Sequence, residues 1–235
     1  MEYCSKCVMP STKPGVIMDE EGLCNACRTQ ISKQSIDWKQ RQEWLEELCE
    51  DVKKSHNGAY DCLVPVSGGK DSFYQAYTMR QLGMRILCVV LSPHLPTTEG
   101  IFNLNNLVNK LDVDLIKVTL KPSVYKKVRK KTFLKQGEPA WAEHCTVFSA
   151  TANIAKLYEV PLIVWGEDIA VEFGGEQNTT SKPDAIDIGT NDLIGNKTIL
   201  NWLDDDISLK DVFFYQYPPL DTLKKIGVKA IYLGY

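Results

Sequence analysis

The sequence has no apolar stretch able to cross a bilayer: its longest aliphatic run, ILCVVL at 86–91, falls far below the roughly 20 residues that a spanning helix needs. Nor does an apolar segment with a cleavage site open the chain. From these two absences we expect a cytoplasmic protein with no membrane partner. A basic excess is missing too. Lys and Arg number 27 against 30 Asp and Glu, a formal charge of −3 with a pI near 5.7, which argues against a surface built throughout to hold nucleic acid. A local basic patch stays open. Internal repeats and low-complexity tracts are also absent, so the chain reads as ordinary globular sequence.

What is present suffices for one substantial α/β domain and a small appendage: 235 residues, 44% hydrophobic and 24% charged. Four of the eight cysteines fall as Cys4-x2-Cys7 and Cys24-x2-Cys27, with sixteen residues between the pairs. That spacing suits a Zn²⁺ ion, since each pair can present two thiolates from a tight turn and four thiolates match its tetrahedral preference. Such a site is structural, because a four-cysteine shell leaves no open position for water. Two disulfides are the alternative, although nothing directs the chain to an oxidising compartment.

Three segments follow from the pattern. Residues 1–34 form a turn-rich knuckle too short for its own core, which the metal must stabilise. Residues 35–57 form a connecting helix that sets Trp38, Trp44, Leu45, Leu48 and Val52 near helical spacing and docks the knuckle. Residues 58–235 form the main domain. There, short apolar runs at 61–66, 85–91, 114–120 and 161–166 alternate with helical patterns at 72–82, 99–111, 123–137 and 140–158. Ile101, Leu104, Val108 and Leu111 mark the inner face of the second of these helices. Repeated strand–helix alternation predicts a doubly wound parallel sheet with helices on both faces. Beyond Gly174 the polar EQNTTSKPDAIDIGTNDLIGN reads as a mobile loop near the active site, and a short helix and strand end the chain.

At 65–77 the sequence reads PVSGGKDSFYQAY. A Gly-rich turn between strand and helix aims backbone N–H groups and the positive helix end at an anion, and phosphate is the natural guest. Two common phosphate patterns fail here: position 64 is Val and Lys70 is followed by Asp71, against G-x4-G-K-[ST], and G-x-G-x-x-G is not met either. What stands is Ser67-Gly68-Gly69-Lys70-Asp71-Ser72. Gly68 and Gly69 let the backbone close on oxygen atoms, Ser67 and Ser72 add hydroxyl donors, and Lys70 supplies a point charge. Asp71 would repel phosphate, so it either holds Mg²⁺ or caps the helix beginning at Ser72. Pro65 breaks the rule against proline in a central strand, as functional sites tend to do.

A second cluster follows the strand PLIVWG: Glu167, Asp168, Glu172 and Glu176, with Gly174 and Gly175 among them. At the carboxyl end of a parallel strand these are metal ligands opposite a polyphosphate, or else a solvated acidic loop. Lys126, Lys127, Arg129, Lys130 and Lys131 form an exposed helix face or an anion-steering patch, the former being the better reading. His144 beside Cys145 suggests a nucleophile, but Cys145 falls on an apolar stripe and reads better as a small buried hydrophobe.

The stretch Ser67 to Ser72 resembles the SGGxDS loop of the PP-loop ATP pyrophosphatases, an adenine nucleotide alpha hydrolase-like fold that cleaves ATP between the α and β phosphates. With YCSKCVMPSTKPGVIMDEEGLCNAC and PLIVWGEDIAVEFGG, the chain is similar to the N-acetyl sugar amidotransferases of bacterial surface-polysaccharide biosynthesis. The resemblance implies ATP, Mg²⁺ and Zn²⁺ as cofactors, Ser67 to Ser72 as the nucleotide-binding loop, and Lys70, Asp71, Glu167 and Glu172 as catalytic residues. It further implies adenylation of the acetamido oxygen of a nucleotide-linked N-acetyl sugar, attack by ammonia, and release of AMP and pyrophosphate to leave an acetamidino sugar. With no cysteine at position 2 and no G-x-C-x-G segment, the chain should not hydrolyse glutamine, and a separate glutaminase subunit is expected to supply ammonia. Members of that family continue past a strand like the one ending here in IYLGY, so a truncated or short form is expected. The alternatives are a zinc-bearing PP-loop tRNA thiolase, disfavoured because Cys49, Cys62, Cys88 and Cys145 have no x2 spacing, and a non-catalytic ATP-binding adaptor.

Overall fold

The computed structural model describes residues 1–13, 15–92, 96–166, 168, 184–188 and 197–234. At the amino end two antiparallel bridges, Tyr3 with Pro10 and Met18 with Cys24, fold the chain into a knuckle. Helix α1 (Asn25–Ser32) and a 3-10 turn (Lys33–Ser35) follow. Helix α2 (Trp38–Ser55) starts where the Asp37 carboxylate accepts the Gln40 N–H at 3.0 Å. It buries Leu45, Cys49 and Val52 against the sheet domain, with Trp44 and Leu48 half-buried beside them. Trp38 departs from the expected inner face: it is 52% exposed, and the Arg41 guanidinium lies 5.6 Å from its ring centroid. One turn at the start of α2 overhangs the core.

The main domain runs β1 (Cys62–Pro65), α3 (Lys70–Gln81), β2 (Ile86–Leu91), α4 (Thr98–Leu111), β3 (Asp114–Val118), α5 (Pro122–Gln136), α6 (Trp141–Leu157) and β4 (Leu162–Trp165). Three short 3-10 turns lie between residues 199 and 215, before α7 (Leu220–Lys225) and β5 (Lys229–Tyr232). The five strands are parallel in the order β3-β2-β1-β4-β5. Period-two alternation divides them between two cores. Cys62, Val64, Cys88, Val90, Leu162, Val164 and Ile231 face α2, α3 and α4, whereas Leu63, Leu87, Val89, Ile163, Trp165 and Ala230 face α6 and α7. The expected doubly wound sheet is therefore present. On α4 the buried face is Leu104, Leu107 and Leu111, while Ile101 is exposed. Among the described residues no helix is long and apolar enough to cross a membrane.

Two segments beyond β4 carry structure that periodicity does not announce. Residues 184–188, expected to be part of a mobile loop, are pinned on β5: the Ala185 N–H donates to the Ala230 carbonyl at 2.9 Å, and Ala185, Ile186 and Ile188 are buried. The 199–215 stretch packs Ile199, Trp202, Ile207, Val212 and Tyr215 against α5 and α6, with Trp141 and Trp202 edge to face at 5.6 Å. Two members of the basic run on α5 serve this contact and a third ties α5 to α6. Lys127 pairs with Asp206, Lys131 with Asp204 and Arg129 with Glu143, while Lys126 and Lys130 remain exposed. Steering of anions is thus left to at most two of the five.

Candidate active site and candidate metal centre

In this strand order the connections reverse direction between β1 and β4, and the crevice beyond their carboxyl ends is where such sheets bind ligands. Pro65 opens it. The Val66 N–H donates to Val89 on β2, so the preceding residue's nitrogen faces β4, and there the β1–β4 pairing already ends at Leu63 with Ile163. A residue without an N–H costs nothing at that position and prevents the two strands from zipping further.

The loop Ser67 to Ser72 caps this opening. Gly68 has φ +81°, and a Cβ there would also stand 3.1 Å from the Gly100 carbonyl oxygen at the start of α4, so glycine is required twice over. The Ser67 hydroxyl accepts the Gly69 N–H at 3.2 Å, and the Ser72 hydroxyl accepts the Ser67 N–H at 3.2 Å while donating to the Gly69 carbonyl at 3.1 Å. The serines therefore shape the loop as well as offering donors. Helix α3 begins at Lys70, two residues earlier than expected, with Gly69 as its N-cap and no side-chain cap. Asp71 is consequently not the cap: it lies inside the first turn, 2.5 Å from the Lys70 Nζ. Their side chains are 70% and 87% exposed, and the uncapped helix end is left for an anion.

Behind the loop lies a cavity of about 580 Å³, within the range of small-molecule sites. It is lined by Ser67, Asp71 and Ser72 of the loop, by the apolar end of β2 from Val89 to Leu91, and by Tyr125, Glu143 and His144 of α5 and α6. Gln75 and Trp165 also line it. Gly166, following β4, abuts Gln75, whose Nε2 would be 2.1 Å from a Cβ at that position. Gln75 was legible as a polar residue on the buried face of α3 together with Ser72, Ala76 and Met79. Tyr125 and Glu143, on different helices, left no such sign.

Of the acidic cluster, Glu167, Glu172 and Glu176, with Gly174 and Gly175, lie outside the described residues. Asp168 is half-buried and close to Tyr232, whose hydroxyl burial pushes up with Asp168 among the negative charges that add to the shift. Cys145 is no nucleophile: it is buried, donates to the Tyr215 carbonyl at 3.2 Å, and burial pushes its thiol up to about 12. The neighbouring His144 is exposed.

In the knuckle, Cys4, Cys7, Cys24 and Cys27 bring their Sγ atoms within 4.8 Å of one another. The Cys4–Cys27 and Cys7–Cys24 separations are 3.8 and 3.6 Å, far beyond a sulfur–sulfur bond, so the disulfide alternative falls. They match the roughly 3.8 Å edge of a sulfur tetrahedron with metal bonds of about 2.3 Å. Backbone N–H groups point at the sulfurs, Cys24 N to Cys4 Sγ at 3.3 Å and Cys27 N to Cys24 Sγ at 3.4 Å. That first bond, together with backbone N–H groups of Cys7 and Lys6, lowers the Cys4 thiol to about 6, whereas burial and the adjacent thiols raise Cys27 to about 12. Four thiolates cannot coexist here without a cation. The donor set fits a metal ion.

No family model matches the chain. The uncharacterized protein MJ1599 of Methanocaldococcus jannaschii is 30% identical over 115 residues, 48% of this chain and 41% of that protein. The chain thus spans about two-fifths of that relative. Among solved structures, NMN synthetase from Francisella tularensis aligns with a TM-score of 0.45 at 14% identity, covering 57% of this chain and 56% of that one. The U34-tRNA thiolase NcsA from Methanococcus maripaludis, with its [4Fe-4S] cluster, aligns at 0.39 and 14% identity over 96% of this chain and 71% of that one.

Proposed function

We propose that the chain is an ATP pyrophosphatase of the PP-loop type acting as an N-acetyl sugar amidotransferase. The observation that carries this reading is the position of Ser67 to Ser72: an SGGxDS-like loop, closed by its own serines, on an uncapped helix end at the sheet's switch point. An adenine nucleotide fits with its polyphosphate at the loop and its base toward the apolar end of β2.

In this scheme the Gly68–Gly69 backbone and the α3 N-terminus hold the departing pyrophosphate, and Lys70 neutralises charge as it develops. Asp71, now paired with Lys70, is the carboxylate that would hold Mg²⁺, whose chemistry is to shield the phosphates. An amide oxygen is a poor leaving group, and adenylation turns it into the good one that ammonia displaces. Ammonia comes from a separate glutaminase. The four-cysteine knuckle holds Zn²⁺ in a structural role.

Thiolation of tRNA is the weaker reading because the four remaining cysteines, Cys49, Cys62, Cys88 and Cys145, are all buried and a sulfur carrier must be reachable. The test is incubation with α-labelled ATP, ammonium and a panel of nucleotide-linked N-acetyl sugars. Acceptor-dependent AMP and pyrophosphate are expected; ADP as product refutes the reading. With glutamine in place of ammonium and no partner, no glutamate should form.

A further inference from the structure

Among the described residues, the titratable side chains lining the cavity behind the loop are Asp71, Tyr125, Glu143 and His144. Three of them are engaged. Asp71 pairs with Lys70, and the Tyr125 hydroxyl donates to Glu143, whose other oxygen is closed off from solvent. His144 differs: it is exposed, and its ring has no hydrogen-bond or charged partner among the described residues. Its place on α6 is equally particular. That helix gives the cavity Glu143, His144, Val147, Phe148, Ala150 and Thr151. With 3.6 residues per turn these six share one side of the helix, and His144, Val147 and Thr151, spaced i, i+3 and i+7, run along its middle. A residue that lies on the lining stripe and is also exposed stands where the cavity meets solvent. No packing contact explains an imidazole there.

We propose that His144 is the general base of the amination step, taking a proton from the nitrogen that has just added to the acceptor. This rests on the amidotransferase reading above. When ammonia bonds to the adenylated carbon, the new nitrogen carries three hydrogens and a positive charge, and it has no lone pair with which to expel AMP. The unprotonated ring nitrogen of His144 takes one of those protons. The freed lone pair then forms the carbon–nitrogen double bond, the carbon–oxygen bond breaks, its electron pair leaves with AMP, and the amidinium remains. The imidazolium returns its proton to solvent. Imidazole suits the task because it changes charge near neutrality. The two carboxylates of the cavity are poorer bases for it, one being claimed by Lys70 and the other by Tyr125. A base at the solvent side also meets ammonia as a separate protein delivers it.

The test compares wild type with His144→Ala, using ammonium and whichever nucleotide-linked N-acetyl sugar releases AMP fastest. The expected result is a fall in kcat/KM for ammonium of about 100-fold or more, with ATP affinity by calorimetry and KM for the sugar unchanged. Free imidazole added to the variant should restore about tenfold or more of the lost rate, because it can enter the space the ring has left and accept the proton there. A merely structural role would not respond to imidazole. A variant within about threefold of wild type, a defect that imidazole does not relieve, or a parallel loss of ATP or sugar binding would overturn the proposal and leave the amidotransferase reading standing. Wild type that makes no AMP with any acceptor overturns both.

Discussion

Gln75 of α3 fills the space that a side chain on Gly166, at the end of β4, would require. The helix that presents the phosphate loop and the strand that leads into the acidic cluster thus meet through one amide against one backbone. Gly166→Ala must push that amide aside, and because only the end of a side chain has to move the cost should be about 1 kcal/mol, the low end for overpacked sites. In a Gln75→Ala background the same change should cost much less. Urea denaturation of the four proteins measures the coupling, and simple additivity would show that the contact is not what makes glycine necessary.

Lys70 and Asp71 are exposed and bond to each other, so removing either takes away an exposed pair worth little to the fold. Lys70→Ala and Asp71→Ala should retain the wild-type melting temperature and lose AMP formation by at least about 100-fold, the scale of one lost electrostatic stabiliser. A matching loss of folded protein would instead make the pair structural.

The cysteine tetrahedron predicts one tightly bound zinc per chain. Elemental analysis should find it, and Cys24→Ser should release it and unfold the knuckle, since Cys24 both offers a sulfur to the four-cysteine site and caps α1. Iron with acid-labile sulfide at these residues would assign the site to a cluster in place of zinc.

Asp61 is 1% exposed on its side chain and receives the Arg85 backbone N–H at 2.8 Å and the guanidinium at 2.5 and 3.0 Å. Burial alone would raise its carboxyl, but the bonds from Arg85 hold it below the ordinary carboxylate value. Its stabilising contribution is therefore complete above the unfolded value, about pH 4, and is lost as pH falls through the lower folded value. Asp61→Asn should cost about 2 kcal/mol at neutral pH. Denaturant titrations from neutral to acid pH should find that cost shrinking only below about pH 4; a gap that closes earlier would contradict the depressed carboxyl.

The strands were readable because each is a short, unbroken apolar run, as a strand buried on both faces must be. Their order was not, because pairing depends on crossovers that no local pattern encodes. Trp38 and Ile101 were assigned inward on spacing alone, which identifies a stripe without saying how far the neighbouring layer extends over it. Residues 184–188 and 199–215 escaped because 3-10 turns and single bridges have no repeat to detect. Of the site, the loop was evident from glycine and charge at the end of a strand. The lining from α5 and α6 was hidden, since Tyr125 and Glu143 meet only after those helices pack.

The distribution of sulfur gives the protein two chemically separate thiol populations. Cys49, Cys62, Cys88 and Cys145 are sealed inside, with burial pushing Cys49 up to about 11, Cys88 and Cys145 up to about 12 and Cys62 well above its usual value. At neutral pH they present almost no thiolate to an alkylating or oxidising reagent. Reactivity toward such reagents therefore falls to the knuckle alone, and there a bound metal competes for the same lone pairs. Counting modified thiols on the folded protein reads out metal occupancy directly, with the four interior cysteines as a silent internal standard that responds only when the chain unfolds.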